Sequence, residues 1–190
     1  MFKYYFYFLV YYFKIQYQLL VKVNPLYLYD KFALMSHHAV RQSYNGRPYY
    51  YHTKSVANTV LQFSILDSYD LELAYAGALF HDLLEDCHMY TYNDIKKIWG
   101  KEIADIVYAC TELRGHNRKE RHGEEYIKTL KESRIGLYDK LCDIISNMTN
   151  AKETGHSMFS KYKKEFKKTK EQLYTEEFKE IFDAMESLIK

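Results

Sequence analysis

Apolar positions recur at helical spacing over most of the chain. In GKEIADIVYACTEL, residues 100–113, Ile103, Ile106, Val107 and Cys110 share one face and Gly100 marks the start. The same reading predicts helices over about 54–64, 70–84 and 92–98. RKERHGEEYIKTLKE, IGLYDKLCDIISNMTN, MFSKYKKEFKKTKEQLY and TEEFKEIFDAMESLIK supply four more. Asp30 is placed to cap a first helix running to about Gln42, and SYNGRP is a loop whose Asn45 and Gly46 are turn formers. The beginning differs. From Lys14 to Val23, Ile15, Tyr17, Leu19, Val21 and Val23 alternate with Lys14, Gln16, Gln18 and Lys22, which suggests a strand, although Leu20 spoils the polar side. Pro25 is expected to end that segment. The pattern predicts an all-α bundle with an aromatic, apolar N-terminal extension of unknown role over residues 1–25.

Composition narrows the picture modestly. A chain of 190 residues can bury one core, and seven glycines with two prolines favour long helices over tight turns. A net charge of +2, from 27 basic and 25 acidic residues, gives no steer toward nucleic acid or an anionic membrane. Lys3, Lys14 and Lys22 interrupt the apolar N-terminus, and the longest uncharged run, Tyr4 to Phe13, is too short to span a bilayer. The bulky residues around Gln18 to Lys22 offer no signal-peptide cleavage site. Cys87, Cys110 and Cys142 fit no disulfide framework or zinc knuckle and read as reduced core thiols of a cytoplasmic protein.

One stretch carries chemistry. In AYAGALFHDLLEDCHMY, residues 74–90, small and apolar residues run into His81, Asp82, Glu85 and Asp86 with no Lys or Arg among them. On one continuous helix His81 would lie over Glu85 and Asp82 over Asp86. Like charges stacked this way repel, and burying them unpaired would cost several kcal/mol or force protonation. Two readings are open: the helix surfaces after Phe80 and the acids are hydrated, or a cation sits among them. Further ligands for a cation are available in His52, before a helix that Thr53 could cap, and in Asp143. Each has a plain alternative, a solvent-facing loop histidine for the first. For the second, it is an exposed face formed by Asp139, Asp143 and Asn147 at i, i+4, i+8.

The order His52, His81–Asp82, Asp143 resembles the H…HD…D pattern of the HD-domain metal-dependent phosphohydrolases. The likeness is closest to the RelA/SpoT-type alarmone hydrolases. RQSYNGRPYYYH resembles the approach to their first metal histidine, with Arg41, Gly46, Pro48, Tyr49 and His52 in order. HDLLED is similar to their HDxxED motif, IKKIWGKEIADIVYACTEL to their I…FG…V…LV…VT segment, and KLCDIISN to KLADRLxN. The resemblance runs from about Lys31 to Tyr162, and residues 26–190 would form the hydrolase domain. Thr53 stands where the family usually has proline, Cys87 where it has threonine, and Glu112 where it has aspartate.

The resemblance implies an HD-domain helical bundle and one divalent cation, Mn²⁺, held by His52, His81, Asp82 and Asp143. Two imidazoles and two carboxylates suit a borderline first-row metal with positions left for water or phosphate. Glu85 and Asp86 would orient the attacking water and handle protons. The substrate implied is (p)ppGpp, losing its 3′-pyrophosphate to give GDP or GTP. Arg41 would clamp a phosphate, Asn147 would contact the ribose and Tyr162 would form a wall of the nucleotide pocket; a packing role for Tyr162 is equally open among 21 tyrosines. Lys140, Arg47, Arg118 and Arg121 could add positive potential, and the loop from Arg114 to Glu125 would help select the nucleotide. With no room for a synthetase domain after Lys190, a stand-alone hydrolase is expected. The alternatives are a broader nucleotide phosphohydrolase, including an NADPH phosphatase, and a nucleotide-binding module without turnover.

Overall fold

The computed structural model describes residues 24–112 and 123–190. The strand expected over 14–23 and the candidates Arg118 and Arg121 lie outside the described residues. The elements in chain order are α1 (Pro25–Ala39), a hairpin of β1 (Ser43–Tyr44) and β2 (Arg47–Pro48), α2 (Tyr50–Val60), α3 (Ser68–Phe80) and α4 (Leu83–Asp86). They continue with α5 (Tyr92–Trp99), α6 (Lys101–Cys110), α7 (Glu124–Glu132), α8 (Arg134–Glu153) and α9 (Met158–Leu173). A 3₁₀ turn (Glu176–Phe178) and α10 (Lys179–Ile189) complete the series. The all-α expectation holds.

Several boundaries differ from the sequence reading. Pro25 opens α1. Its fixed φ suits the first helical position, and Asn24 caps the helix by accepting a hydrogen bond from the Leu26 N–H at 3.0 Å. Asp30 therefore lies inside α1, where it is no cap. It accepts from Tyr50 Oη at 2.7 Å, from Tyr75 Oη at 2.9 Å and from Lys54 Nζ at 2.8 Å, tying α1 to α2 and α3. Thr53 is likewise no cap: α2 has already begun at Tyr50, and its hydroxyl donates to the Tyr50 carbonyl.

The hairpin between α1 and α2 follows its turn chemistry. Ser43 pairs with Pro48 and Tyr44 with Arg47, while Asn45 (φ 50°) and Gly46 (φ 75°) take the left-handed conformations that a tight two-residue turn requires.

The core is organised by α3 and α8. Ala74 to Phe80 are all buried, as expected of a helix apolar on every side. Helix α8 crosses the middle of the bundle and packs against α2, α3, α6, α7, α9 and α10. Consequently Asp139 and Asp143 are both buried, and the i, i+4, i+8 stripe is not an exposed face. The approach of α3 to α8 depends on Gly77. A Cβ there would lie 2.1 Å from Asp139 Oδ2 and 2.5 Å from Ile106 Cγ2. Gly77→Ala is expected to destabilise the protein by about 1–3 kcal/mol, read as a lower denaturation midpoint. Adding Asp139→Ala should restore part of that loss by removing one of the two clashing groups.

All three cysteines are buried and unpaired, in line with reduced core thiols, and burial pushes the Cys87 thiol up to about 12. Among the described residues no helix is long and apolar enough to cross a membrane.

Candidate active site

The stretch 74–86 is not one helix. Helix α3 ends at Phe80, Asp82 adopts φ −97° and ψ 1°, and α4 restarts with the Asp82 carbonyl accepting from the Glu85 and Asp86 N–H groups. The break removes the stacking of His81 on Glu85 and of Asp82 on Asp86 that a continuous helix would impose. The His81 side chain contributes to it by donating Nδ1–H to the Ala78 carbonyl at 2.8 Å. That bond also fixes the ring's tautomer and turns Nε2 toward the carboxylates.

Four side chains from three regions then meet. His52 comes from the first turn of α2, His81 and Asp82 from the α3–α4 break, and Asp143 from the middle of α8. His81 Nε2 lies 2.9 Å from Asp82 Oδ2 and 3.8 Å from Asp143 Oδ1. His52 Nε2 lies 3.3 Å from Asp143 Oδ1 and 3.8 Å from Asp82 Oδ2. His52, His81 and Asp143 are buried and each turns a ligand atom into a common space. This donor set fits a divalent cation: two imidazole nitrogens and two carboxylates converge, and of the four only Asp143 has an ion pair with a Lys or Arg among the described residues, Lys140 Nζ lying 3.1 Å from its Oδ2. Burial opposes the charge on Asp143, but Lys140 and the two imidazoles outweigh it and hold the carboxyl well below its usual range. Burial also opposes a proton on His81. Asp82 outweighs it and raises the imidazole to about 10.

Tyr49, just before α2, and Tyr44 of the hairpin brace the cluster. Tyr49 Oη donates to Asp82 Oδ2 at 2.5 Å. The Tyr44 ring stacks on His52, with centroids 4.7 Å apart, and its hydroxyl donates to Asn147 Oδ1 at 2.8 Å. Asn147 in turn donates to Asp143 Oδ1 at 2.6 Å, so in this state the expected ribose contact is engaged as a support for Asp143.

The acidic pair has its own partners. Glu85 Oε1 accepts from the Glu112 backbone N–H at 2.7 Å, which makes the main chain at that position, whatever its side chain, a fixed part of the site. Burial raises Glu85 to about 7, and the nearby Asp82 adds to this against the opposing effect of the Glu112 N–H. Asp86 Oδ2 accepts from Gln42 Nε2 at 2.6 Å.

A cavity of about 230 Å³ opens beside Asp143, between α7, α8 and α9. Asn147 and Tyr162 line it together with Glu112, Tyr126, Lys140 and Glu165. Arg41 is not among its lining. It sits on the exposed turn after α1 with φ 55°, while its neighbour Gln42 reaches inward. Gln42, Tyr44 and the Glu112 N–H are the contributors that sequence reasoning missed. Nothing in their spacing marks these contacts; Tyr49, Lys140 and the Glu112 side chain are the neighbours that the sequence does single out.

Comparison with known proteins bears on the whole arrangement. The model of the HD domain family matches residues 49–184, a span that contains all four converging side chains. A Mycoplasma pneumoniae protein named probable guanosine-3′,5′-bis(diphosphate) 3′-pyrophosphohydrolase is 30% identical over 84 residues, 44% of this chain. The match spans 11% of that relative's length. Among solved structures, one described as a metazoan ortholog of SpoT that hydrolyses ppGpp and plays a role in starvation responses superposes with a TM-score of 0.65. That likeness, at 19% identity over 86% of this chain and 94% of the other, is one of fold.

Proposed function

Because the chain belongs to the HD domain family, whose model spans 72% of it from residue 49 to 184, we propose that it is a metal-dependent hydrolase of the alarmone type. It would remove the 3′-pyrophosphate from (p)ppGpp to leave GDP or GTP, acting in the cytoplasm on a small-molecule nucleotide. The observation that carries this reading is the meeting of His52, His81, Asp82 and Asp143 beside a half-buried acidic pair and a cavity lined by Lys140 and Asn147.

In this mechanism those four residues hold one divalent ion, Mn²⁺ by family resemblance, which when bound polarises a phosphoryl oxygen and acidifies a water. Glu85 accepts the water's proton. Its Oε1 is held by the Glu112 N–H, and a carboxyl raised to about 7 can take up and release a proton near neutral pH. Asp86, fixed by Gln42, orients the same water. Lys140 stays protonated beside Asp143 and presents positive charge toward the cavity, whose other charged lining groups among the described residues, Glu112, Asp143 and Glu165, are carboxylates. Tyr126 and Tyr162 supply aromatic walls for a base.

The substrate is tested by comparing ppGpp, NADPH, a nucleoside triphosphate and a 5′-monophosphate side by side, with Mn²⁺ and after chelation. The expected result is pyrophosphate release from ppGpp well above phosphate release from any competitor, abolished by chelator. A polar site built for a second pyrophosphate leaves its buried groups unpaired when that group is missing, and this can discriminate by orders of magnitude. Preference for a competitor would assign a broader phosphohydrolase, and inactivity on all of them despite bound metal would assign a binding module.

A further inference from the structure

Asp86 takes its only side-chain hydrogen bond among the described residues from Gln42, and Gln42 is itself held from behind by a buried histidine. His37, in the last turn of α1, is 1% exposed. Its Nδ1 lies 2.9 Å from Gln42 Oε1, its ring leans on Tyr49 with centroids 4.9 Å apart, and Cys87 Sγ is 3.7 Å from the same nitrogen. A glutamine amide can sit either way round in a site of this shape, with opposite consequences for a carboxylate beside it.

We propose that His37 and Gln42 are positioning residues for Asp86. His37, neutral and protonated on Nδ1, locks the Gln42 amide so that its NH₂ group, never its carbonyl oxygen, faces the carboxylate. A Gln carbonyl oxygen can only accept, so the nitrogen facing it must carry the hydrogen. The proton then belongs to Nδ1 and the ring's lone pair to Nε2, which is buried with no hydrogen-bond partner among the described residues. A charged imidazole would leave a second buried N–H unpaired, and burial accordingly holds His37 below its ordinary pKa. The role differs from that of a metal support. The Ala78 carbonyl orients His81, itself a member of the donor set, whereas His37 acts two hydrogen bonds away on a carboxylate outside that set. Its importance for turnover rests on the proposed hydrolase reading, in which Asp86 orients the water.

The test uses metal-loaded full-length protein and two readouts. In kinetics on ppGpp, His37→Phe, which fills the space without a donor, is expected to lower kcat by about 10–100-fold with KM and metal content near wild type. His37→Asn, which keeps a donor near the Nδ1 position, is expected to recover most of that loss. In NMR, the Gln42 side-chain amide resonances should move on Asp86→Asn and on His37→Phe, and stay near wild type in His37→Asn. Equal kcat in the Phe and Asn variants, or Gln42 amide signals indifferent to both His37→Phe and Asp86→Asn, would overturn the proposal. The NMR arm needs no turnover. A protein inactive on ppGpp but showing the expected amide shifts would contradict the hydrolase reading and with it the catalytic importance of the pair. An active protein without those shifts would contradict the positioning alone.

Discussion

Replacing His81 or Asp143 with alanine is expected to empty the site of metal and reduce hydrolysis to background. Each residue contributes a ligand atom to a cluster whose members lie 2.9–3.8 Å apart, so neither has a neighbour that can take its place. The loss should extend to stability. Without Asp143, Lys140 loses the carboxylate that holds it at 3.1 Å in a largely buried position; without His81, the Asp82 carboxylate loses its nearest cationic partner. Removing one member of a buried charged set costs about 3–5 kcal/mol, because the remainder stays desolvated and uncompensated. Metal analysis of the purified variants and their thermal midpoints check this. Stoichiometric metal together with wild-type melting in both would show that the assigned site is wrong.

Glu85→Gln and Asp86→Asn should separate binding from chemistry. Neither residue belongs to the donor cluster, and each substitution keeps the shape of its side chain. Metal and nucleotide are therefore expected to bind, while turnover falls by roughly a hundredfold or more. Glu85 has a further signature. The carboxylate form is the one that accepts a proton, and burial raises this group to about 7, so kcat/KM in the wild type should rise with pH on the acidic side. The midpoint should lie at or below about 7, since a bound cation favours the charged form. Glu85→Gln should flatten that limb, and near wild-type rates in both variants would remove the role given to the pair.

What the sequence made legible was the chemistry with a fixed spacing. His81–Asp82 and Glu85–Asp86 stand out because four polar groups interrupt an apolar run, and His52 and Asp143 become recognisable through the order in which they follow. The backbone that unites them was less visible. Nothing in FHDLLED is a helix breaker, so a continuous helix was the natural reading; the break at Asp82 belongs to a site in which the His81 ring bonds back to Ala78 and both side chains turn toward α8. Asp30 resembled a cap because it precedes an apolar run, yet the capping role belongs to Asn24–Pro25, and Asp30 is engaged by Lys54, Tyr50 and Tyr75 from other helices. Helical periodicity placed Asp139, Asp143 and Asn147 on one face but could not say that α8 lies at the centre of the bundle. The supports of the acidic pair, Gln42 from 43 residues before Glu85 and the Glu112 N–H from 27 after it, are joined to it only by the tertiary fold.

Following pyrophosphate release from ppGpp by the chelated protein as Mn²⁺ is titrated back measures metal-dependent hydrolysis itself. The expected result is no release before addition, then a rise that saturates at about one equivalent of metal per chain, with GDP as the other product. Release undiminished in the presence of chelator, or none at any Mn²⁺ level in protein shown to bind the ion, would contradict it.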